Sequence, residues 1–170
     1  MRILAICGSL QAISENLRLL QVAAAAAPAE VEVLLFDGIR DLPNFNPDLD
    51  AAGAPQAVRL WRSALADSDG VLIACPEYGH SLPGALKNAI DWVIGSGELY
   101  GKAVAITAAV GARERGRLGL SALRQTLNAV SASIVSEEPI LKGPTFEQEV
   151  TELLQLLSDR ISDARKTATS

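Results

Sequence analysis

The chain has little of what builds metal centres and disulfide frameworks: one histidine and two cysteines in 170 residues. A Cys/His metal site draws on about four such ligands at short spacing, so no metal ligands are expected. Cys7 and Cys75 each close an apolar run, which suits buried thiols in a reducing compartment; on neighbouring strands they could lie close together. Positive charge is in deficit, with 15 Lys and Arg against 20 Asp and Glu and a formal net charge of −5. Nucleic-acid binders carry a basic stripe, so no nucleic-acid partner is expected. No apolar run reaches the ~20 residues of a membrane span, and no membrane partner is expected. The opening apolar run, residues 1–7, is too short for a secretory h-region and passes directly into Gly8 and Ser9, which leaves the cytoplasm as the expected location. Two nucleotide signatures are also missing: no Gly-Lys-Ser/Thr follows the first loop, and Gly8 stands alone where G-x-G-x-x-G needs three glycines.

What is present is a large apolar share, 49% of residues, enough for the core of one domain spanning residues 1–170. Five short apolar runs (residues 2–7, 31–36, 70–75, 102–108 and 131–135) alternate with helical patterns. Helices are expected from about Ser14 to Ala27, with Leu17, Leu20 and Ala24 inward and Pro28 as the stop; over 55–67 with Val58, Trp61 and Leu65 inward; and after Pro83 with Leu86, Ala89, Ile90 and Val93 inward. A fourth runs to about Asn128 on Leu120, Leu123 and Leu127. The last opens at Thr145, where Gln148 completes a capping box, and carries Phe146, Val150, Leu153, Leu154, Leu157 and Ile161. Residues 37–50 read as a long connection with turn chemistry, and residues 166–170 as a frayed tail. Strands alternating with helices make right-handed βαβ crossovers and a parallel sheet covered on both faces.

Two crossing loops hold the chemistry-bearing residues. After the third strand come Pro76, Glu77, Tyr78, Gly79, His80 and Ser81, then Pro83 at the start of a helix with Ser81 as its N-cap. An acid, two aromatic rings, a flexible glycine and a hydroxyl thus meet where ligands bind in open α/β sheets, at a strand's carboxyl end. Each residue taken singly also has a plain reading as a turn former or a solvated polar group. After the first strand, Ser9, Ser14 and Asn16 bring short polar side chains to a helix amino end, which is a place for an anion or an ordinary capped loop.

The stretch PEYGHSLPGALKNAIDW, residues 76–92, resembles the flavin loop of the NADPH-dependent FMN reductase family. Gly8, Ser9, Leu10, Ser14 and Asn16 resemble that family's phosphate loop, with Gln11 where arginine is frequent and Gly79-His80 where asparagine and an aromatic or arginine are more usual. Gly111-Ala112 stands where a glycine pair is frequent. The resemblance implies a three-layer, flavodoxin-like, doubly wound α/β fold with a five-stranded parallel sheet in the order 2-1-3-4-5, which sets the first and third loops on one crevice. It implies FMN held by Ser9, Gln11, Ser14, Asn16, Leu17, Pro76, Glu77, Tyr78, Gly79, His80, Ser81 and Gly111, NADPH or NADH as donor, and a quinone, flavin, azo compound or metal oxyanion as small-molecule acceptor. No side chain is then required as a catalytic acid or base, since the hydride chemistry belongs to the cofactor. Arg113, Arg115 and Arg117 read as a solvated basic loop or as holders of the NADPH phosphate. A homodimer or homotetramer is expected, with Trp92 and Val93 as an apolar interface patch beside the crevice. Two other readings stand beside the reductase: an FMN electron carrier of flavodoxin type, and a flavodoxin-like interaction module without cofactor.

Overall fold

A computed structural model describes residues 1–168. Five parallel strands form the sheet: β1 (Arg2–Cys7), β2 (Glu32–Phe36), β3 (Gly70–Ala74), β4 (Ala103–Thr107) and β6 (Ser133–Ser136), in the order β2-β1-β3-β4-β6. Taken in chain order these five give the expected 2-1-3-4-5. A further pair of two-residue strands, β5 (Ala109–Val110) and β7 (Ile140–Leu141), forms a small parallel sheet of its own. Strands this short carry no hydrophobic period, so no sequence pattern announces them.

The sheet is covered on both sides because its alternate residues differ. Leu4, Ile6, Val71, Ile73, Val104 and Ile106 point to one side, where they pack with Val58, Trp61 and Leu65 of α3 (Gln56–Ala66), Leu86 and Ile90 of α4 (Gly84–Asp91), and Leu120, Leu123 and Leu127 of α5 (Arg117–Ala129). Ala5, Ala74, Ala103 and Ala105 point to the other, together with Ile3 and Leu72. These small side chains let α1 (Glu15–Ala26) and the long α6 (Phe146–Ala168) lie close to the sheet. β3 and β4 are buried on both faces, as central parallel strands require, whereas β2 is an edge with Leu34 and Leu35 partly open to water.

Several local expectations are corrected. The buried face of α1 is Asn16, Leu19, Leu20 and Ala23 rather than Leu17, Leu20 and Ala24, because the second turn packs under α6 and leaves Leu17 on the rim of a cleft. Ser14 occupies the N-cap position of α1 without a side-chain capping bond. The N-cap of α4 is Pro83, with Gly84 first in the helix, because Ser81 is drawn into a hairpin with Tyr78. Thr145 and Gln148 form no capping box: Thr145 Oγ1 donates to Glu149 Oε1 and Gln148 Nε2 to Glu152 Oε1. The long connection contains a 3-10 turn over Gly38–Asp41 and a short helix, α2 (Pro47–Ala51), opened by Asn46 accepting from the Asp48 N–H. Of the tail read as frayed, Lys166, Thr167 and Ala168 continue α6, while Thr169 and Ser170 lie outside the described residues. The two thiols point to opposite faces. Cys7, in register with Ala74, packs on the α1 and α6 side, and Cys75, the residue after Ala74, belongs to the other core.

Candidate functional site

The 76–81 loop leaves β3 and closes at once into a tight hairpin. The N–H of Tyr78 donates to Ser81 O at 2.9 Å and the N–H of Ser81 to Tyr78 O at 3.0 Å. The two residues between them have positive φ, +56° at Gly79 and +61° at His80, as in a type I′ turn, where glycine is at ease and histidine bears a local cost. The N–H groups of Gly79 and His80 are left outside the hairpin's own bonding, at the tip of the loop.

Glu77 fastens this hairpin to the next crossing. Its Oε2 accepts from the N–H groups of Leu118 (3.1 Å) and Gly119 (3.3 Å) in the first turn of α5, and its Oε1 lies 3.2 Å from His80 Nδ1. Desolvation acts against the charged carboxylate. The Gly119 N–H, the His80 ring and the Leu118 N–H together outweigh it and hold Glu77 below the ordinary carboxylate range. A carboxylate at a helix amino end is also favoured by the helix dipole. Gly119 makes the approach possible, since a Cβ there would stand 3.0 Å from Glu77 Cα and 3.2 Å from Ser81 O. Glu77 therefore acts through its side chain as a clamp, and the loop's backbone is what it can offer a ligand.

The first crossing loop is joined to this one at two points. The Gly8 N–H donates to Ala74 O at 2.8 Å, and Ser9 Oγ and the Tyr78 hydroxyl share a hydrogen bond of 3.1 Å. Ser9 Oγ also accepts from the Gln11 N–H. Asn16, buried on α1, accepts at Oδ1 from the Ala109 N–H at 3.0 Å and so ties the loop after β4 to the amino end of α1. Three crossing loops thus meet at the carboxyl ends of β1, β3 and β4, but the first and third do not share the single crevice expected of them: Ser9 and Gln11 face one cleft, Pro76 and Glu77 another.

Seven of the expected site residues line one or other of two clefts, whereas Ser14, Tyr78, Gly79, His80 and Ser81 line neither of them. Asn16, Pro76, Glu77 and Gly111 line the larger, about 470 Å³, with Ala108, Ala109, Arg115 and Lys142. Ser9, Gln11 and Leu17 line a smaller one of about 250 Å³ between β1 and β2, with Cys7 and Asp37. Ser14 lies beside the Cys7 thiol, which burial pushes up against hydrogen bonds from the Ser9 backbone and the Ser14 side chain. Cys75 is pushed up to about 12, mainly by burial, so both thiols stay protonated and poorly nucleophilic at neutral pH. A third cleft, about 440 Å³ around Lys102 and Arg160, lies at the opposite, amino end of the strands and shares nothing with these loops.

The rest of residues 76–92 holds the architecture rather than a ligand. Asn88 Nδ2 and Trp92 Nε1 both donate to Pro43 O, at 2.9 and 2.8 Å, and Asn88 Oδ1 accepts from the Phe45 N–H. Lys87 pairs with Asp91 at 2.6 Å. The Asn88 and Trp92 bonds clasp the long connection against α4, and Phe45 meets the Trp92 ring edge-on at 5.1 Å. Trp92 and Val93 are fully buried in the chain's own core, so they do not form the exposed interface patch expected of them. Of the three loop arginines, Arg113 pairs with Glu149 and Arg117 with Glu138, leaving Arg115 on the larger cleft beside Lys142. The clasp, Gly119 and Lys142 escaped the sequence reading, because each acts on a partner at least 40 residues away or through a strand two residues long.

FMN needs room for a planar ring, donors for the ring's edge and a place for a phosphate. The larger cleft supplies room: nothing lies within 4 Å of a Cβ placed on Gly111. The free N–H groups of Gly79 and His80, on the hairpin adjoining Pro76 and Glu77 rather than in the cleft lining, supply donors, and the amino end of α1, with no side-chain cap, supplies an anion position. The residues fit the group.

Comparison with known proteins agrees. The sequence profile of the NADPH-dependent FMN reductase family matches residues 1–145. An NAD(P)H-dependent FMN reductase of Pseudomonas aeruginosa is 39% identical over 132 residues, 74% of this chain and 69% of the relative. A quinone reductase of Escherichia coli is 33% identical over 147 residues, 84% of this chain and 78% of the relative. Among solved structures, the flavoenzyme NAD(P)H:(acceptor) oxidoreductase FerB of Paracoccus denitrificans superposes with a TM-score of 0.84 at 27% identity, covering 95% of this chain and 97% of that one. A flavodoxin of Bacillus cereus, 16% identical with a TM-score of 0.65 over 94% of this chain and 98% of its own, shares the fold.

Proposed function

The chain belongs to the NADPH-dependent FMN reductase family, and from that premise we propose that it takes two electrons from NADPH or NADH and passes them to a quinone or a free flavin, with azo compounds and metal oxyanions as further acceptors. The reading treats residues 1–170 as one catalytic unit with FMN as its cofactor. The observation that carries it is the meeting of three crossing loops at the carboxyl ends of β1, β3 and β4, held by the Ser9–Tyr78 and Asn16–Ala109 bonds, with Asn16, Pro76, Glu77 and Gly111 on one open cleft. The naming of relatives as FMN and quinone reductases supports the acceptor class.

When bound, FMN supplies the hydride chemistry. The chain's own residues position and enclose. Pro76 and Glu77 form one wall for the ring, and the backbone N–H groups of Gly79 and His80, on the hairpin that follows, donate to its polar edge. Gly111 leaves the opposite wall open for a second flat molecule. The amino end of α1 with Ser9, Gln11, Ser14 and Asn16 receives the phosphate, and Leu17 closes the rim on the β2 side. Glu77 fixes the separation between the 76–81 loop and α5 and holds the His80 ring beside its own carboxylate. No side chain acts as a required acid or base in this scheme.

Work in the cytoplasm as two or four copies belongs to the same reading. Its support is the exposed Tyr78 and Leu118 at the edge of the site, which take the place of the buried Trp92, and sedimentation at micromolar concentration tests it. The activity is tested by reconstituting the purified chain with FMN and following NADPH and NADH oxidation with a benzoquinone acceptor. Turnover supports the reductase. Tight FMN binding without turnover from either donor fits the electron carrier, and absence of flavin binding fits the interaction module.

A further inference from the structure

We propose that Arg115 and Lys142 form, with the side-chain amide of Asn16, a subsite for a phosphate monoester on the wall of the larger cleft. The inference rests on the flavin reading above and adds to it the source of positive charge that the first loop lacks. That loop offers a phosphate only neutral donors, because Gln11 is uncharged and the first turn of α1 carries Glu15, itself paired with Arg18 at 3.5 Å. Two cations reach the same space from elsewhere in the chain. Arg115 comes from the loop before α5, and Lys142 follows β7, where its N–H donates to Val110 O at 2.8 Å and sets it beside the loop after β4.

Three features separate these two from ordinary surface cations. They line one concave wall together with Asn16. Among the described residues neither has an ion-pair partner, whereas the neighbouring Arg113 and Arg117 are each neutralised by a glutamate. The acid on the cleft, Glu77, has both oxygens engaged by α5 and His80. Asn16 is buried to more than nine-tenths and uses its Oδ1 on Ala109, so its amide N–H₂ is the group left to face a ligand. In a chain of net charge −5, two uncompensated cations on one wall with a buried amide select for an anion. Two molecules of this reaction carry a phosphate monoester: FMN at its 5′ position and NADPH at its 2′ position. Each has a partner without it, riboflavin and NADH.

The test uses the full chain with Arg115→Gln, Lys142→Gln and the double variant. Arg124→Gln, which removes one positive charge at the Glu137 pair away from the cleft, controls for net charge. Affinity for FMN and riboflavin is read by flavin fluorescence on flavin-stripped protein, and KM for NADPH and NADH on the FMN-loaded protein. Each single variant should lower one of the two preference ratios about three- to fivefold and the double variant about tenfold or more, with the wild-type preference shrinking as salt rises. Lys142→Arg should restore most of the effect. A fall in the FMN-to-riboflavin ratio alone assigns the subsite to the cofactor, and a fall in the NADPH-to-NADH ratio alone assigns it to the donor. If flavin binds and neither ratio moves beyond the Arg124→Gln control, the subsite is refuted while the reductase reading stands. A wild-type chain that binds neither flavin overturns both.

Discussion

Gly119→Ala isolates the contact between α5 and the 76–81 loop. The added methyl would sit 3.0 Å from Glu77 Cα, 3.1 Å from Glu77 Cβ and 3.2 Å from Ser81 O. Two of these three partners are backbone atoms, so no flexible side chain can swing away and the loop itself must move. Alanine favours the helix over glycine by about 1 kcal/mol, and forcing one extra carbon into a packed contact costs about 1–3 kcal/mol. The net expectation is a loss of roughly 0–2 kcal/mol, a fall in Tm of up to ~8 °C for a chain of this size. The larger effect falls on the site, because the shift also lengthens the Gly119 N–H bond to Glu77, already 3.3 Å, and moves the hairpin carrying Gly79 and His80. FMN affinity should drop by about tenfold, the equivalent of roughly one hydrogen bond. Gly84→Ala is the matched control: it sits at the start of α4 with nothing within 4 Å of its Cβ and no positive φ, and should be neutral or stabilising by up to about 1 kcal/mol. Thermal unfolding and flavin titration of both variants decide. A Gly119→Ala protein as stable and as tight for FMN as Gly84→Ala would refute the clamp.

Asn88→Ala should release the 43–46 segment, seen as faster hydrogen exchange of the Phe45 amide, whose acceptor is Asn88 Oδ1; Trp92→Phe should cost about 1–3 kcal/mol in denaturant unfolding through the lost bond to Pro43 O and the smaller ring. Because the folded-state carboxyl of Glu77 lies below its unfolded value, its contribution is fully present above the unfolded value of about 4.3 and is lost as pH falls through the lower folded value. Urea midpoints of the wild type should therefore fall more steeply than those of Glu77→Gln across that acid window, and parallel curves would contradict the clamp's charge. Native Cys75 should resist alkylation at neutral pH, and mild oxidation should yield no Cys7–Cys75 disulfide by mass spectrometry, because the thiols point to opposite sides of the sheet.

The sheet order and most of the core were legible because central parallel strands are continuous apolar runs and each covering helix repeats its apolar residues at helical spacing. Trp61, Leu86, Leu123 and Leu157 all fall where the periodicity puts them. Around the site, legibility ends where the deciding partner is distant in sequence. Glu77 stands in the expected loop, yet nothing local says that its carboxylate reaches the first turn of α5, 41 residues on. Trp92 near a crevice suggested an interface until the Pro43 carbonyl, 49 residues back, took its indole N–H and buried it. Ser81 before Pro83 has the composition of a helix cap, but the pair of positive φ angles at Gly79 and His80 turns it into a hairpin residue. The shift of the buried face of α1 to Asn16 and Leu19 has the same origin, since packing under α6 fixes it rather than the local pattern. Lys142 reached the cleft through β7, a strand too short to leave a pattern.

The central claim is that the three converging loops bind FMN and deliver electrons from a nicotinamide to a small acceptor. Stopped-flow absorbance of the FMN-reconstituted chain tests it most directly: bleaching of the flavin on mixing with NADPH or NADH, then its recovery on mixing with a benzoquinone. The account predicts both phases, with bleaching absent from the flavin-free chain. A bound flavin that neither nicotinamide bleaches would contradict it.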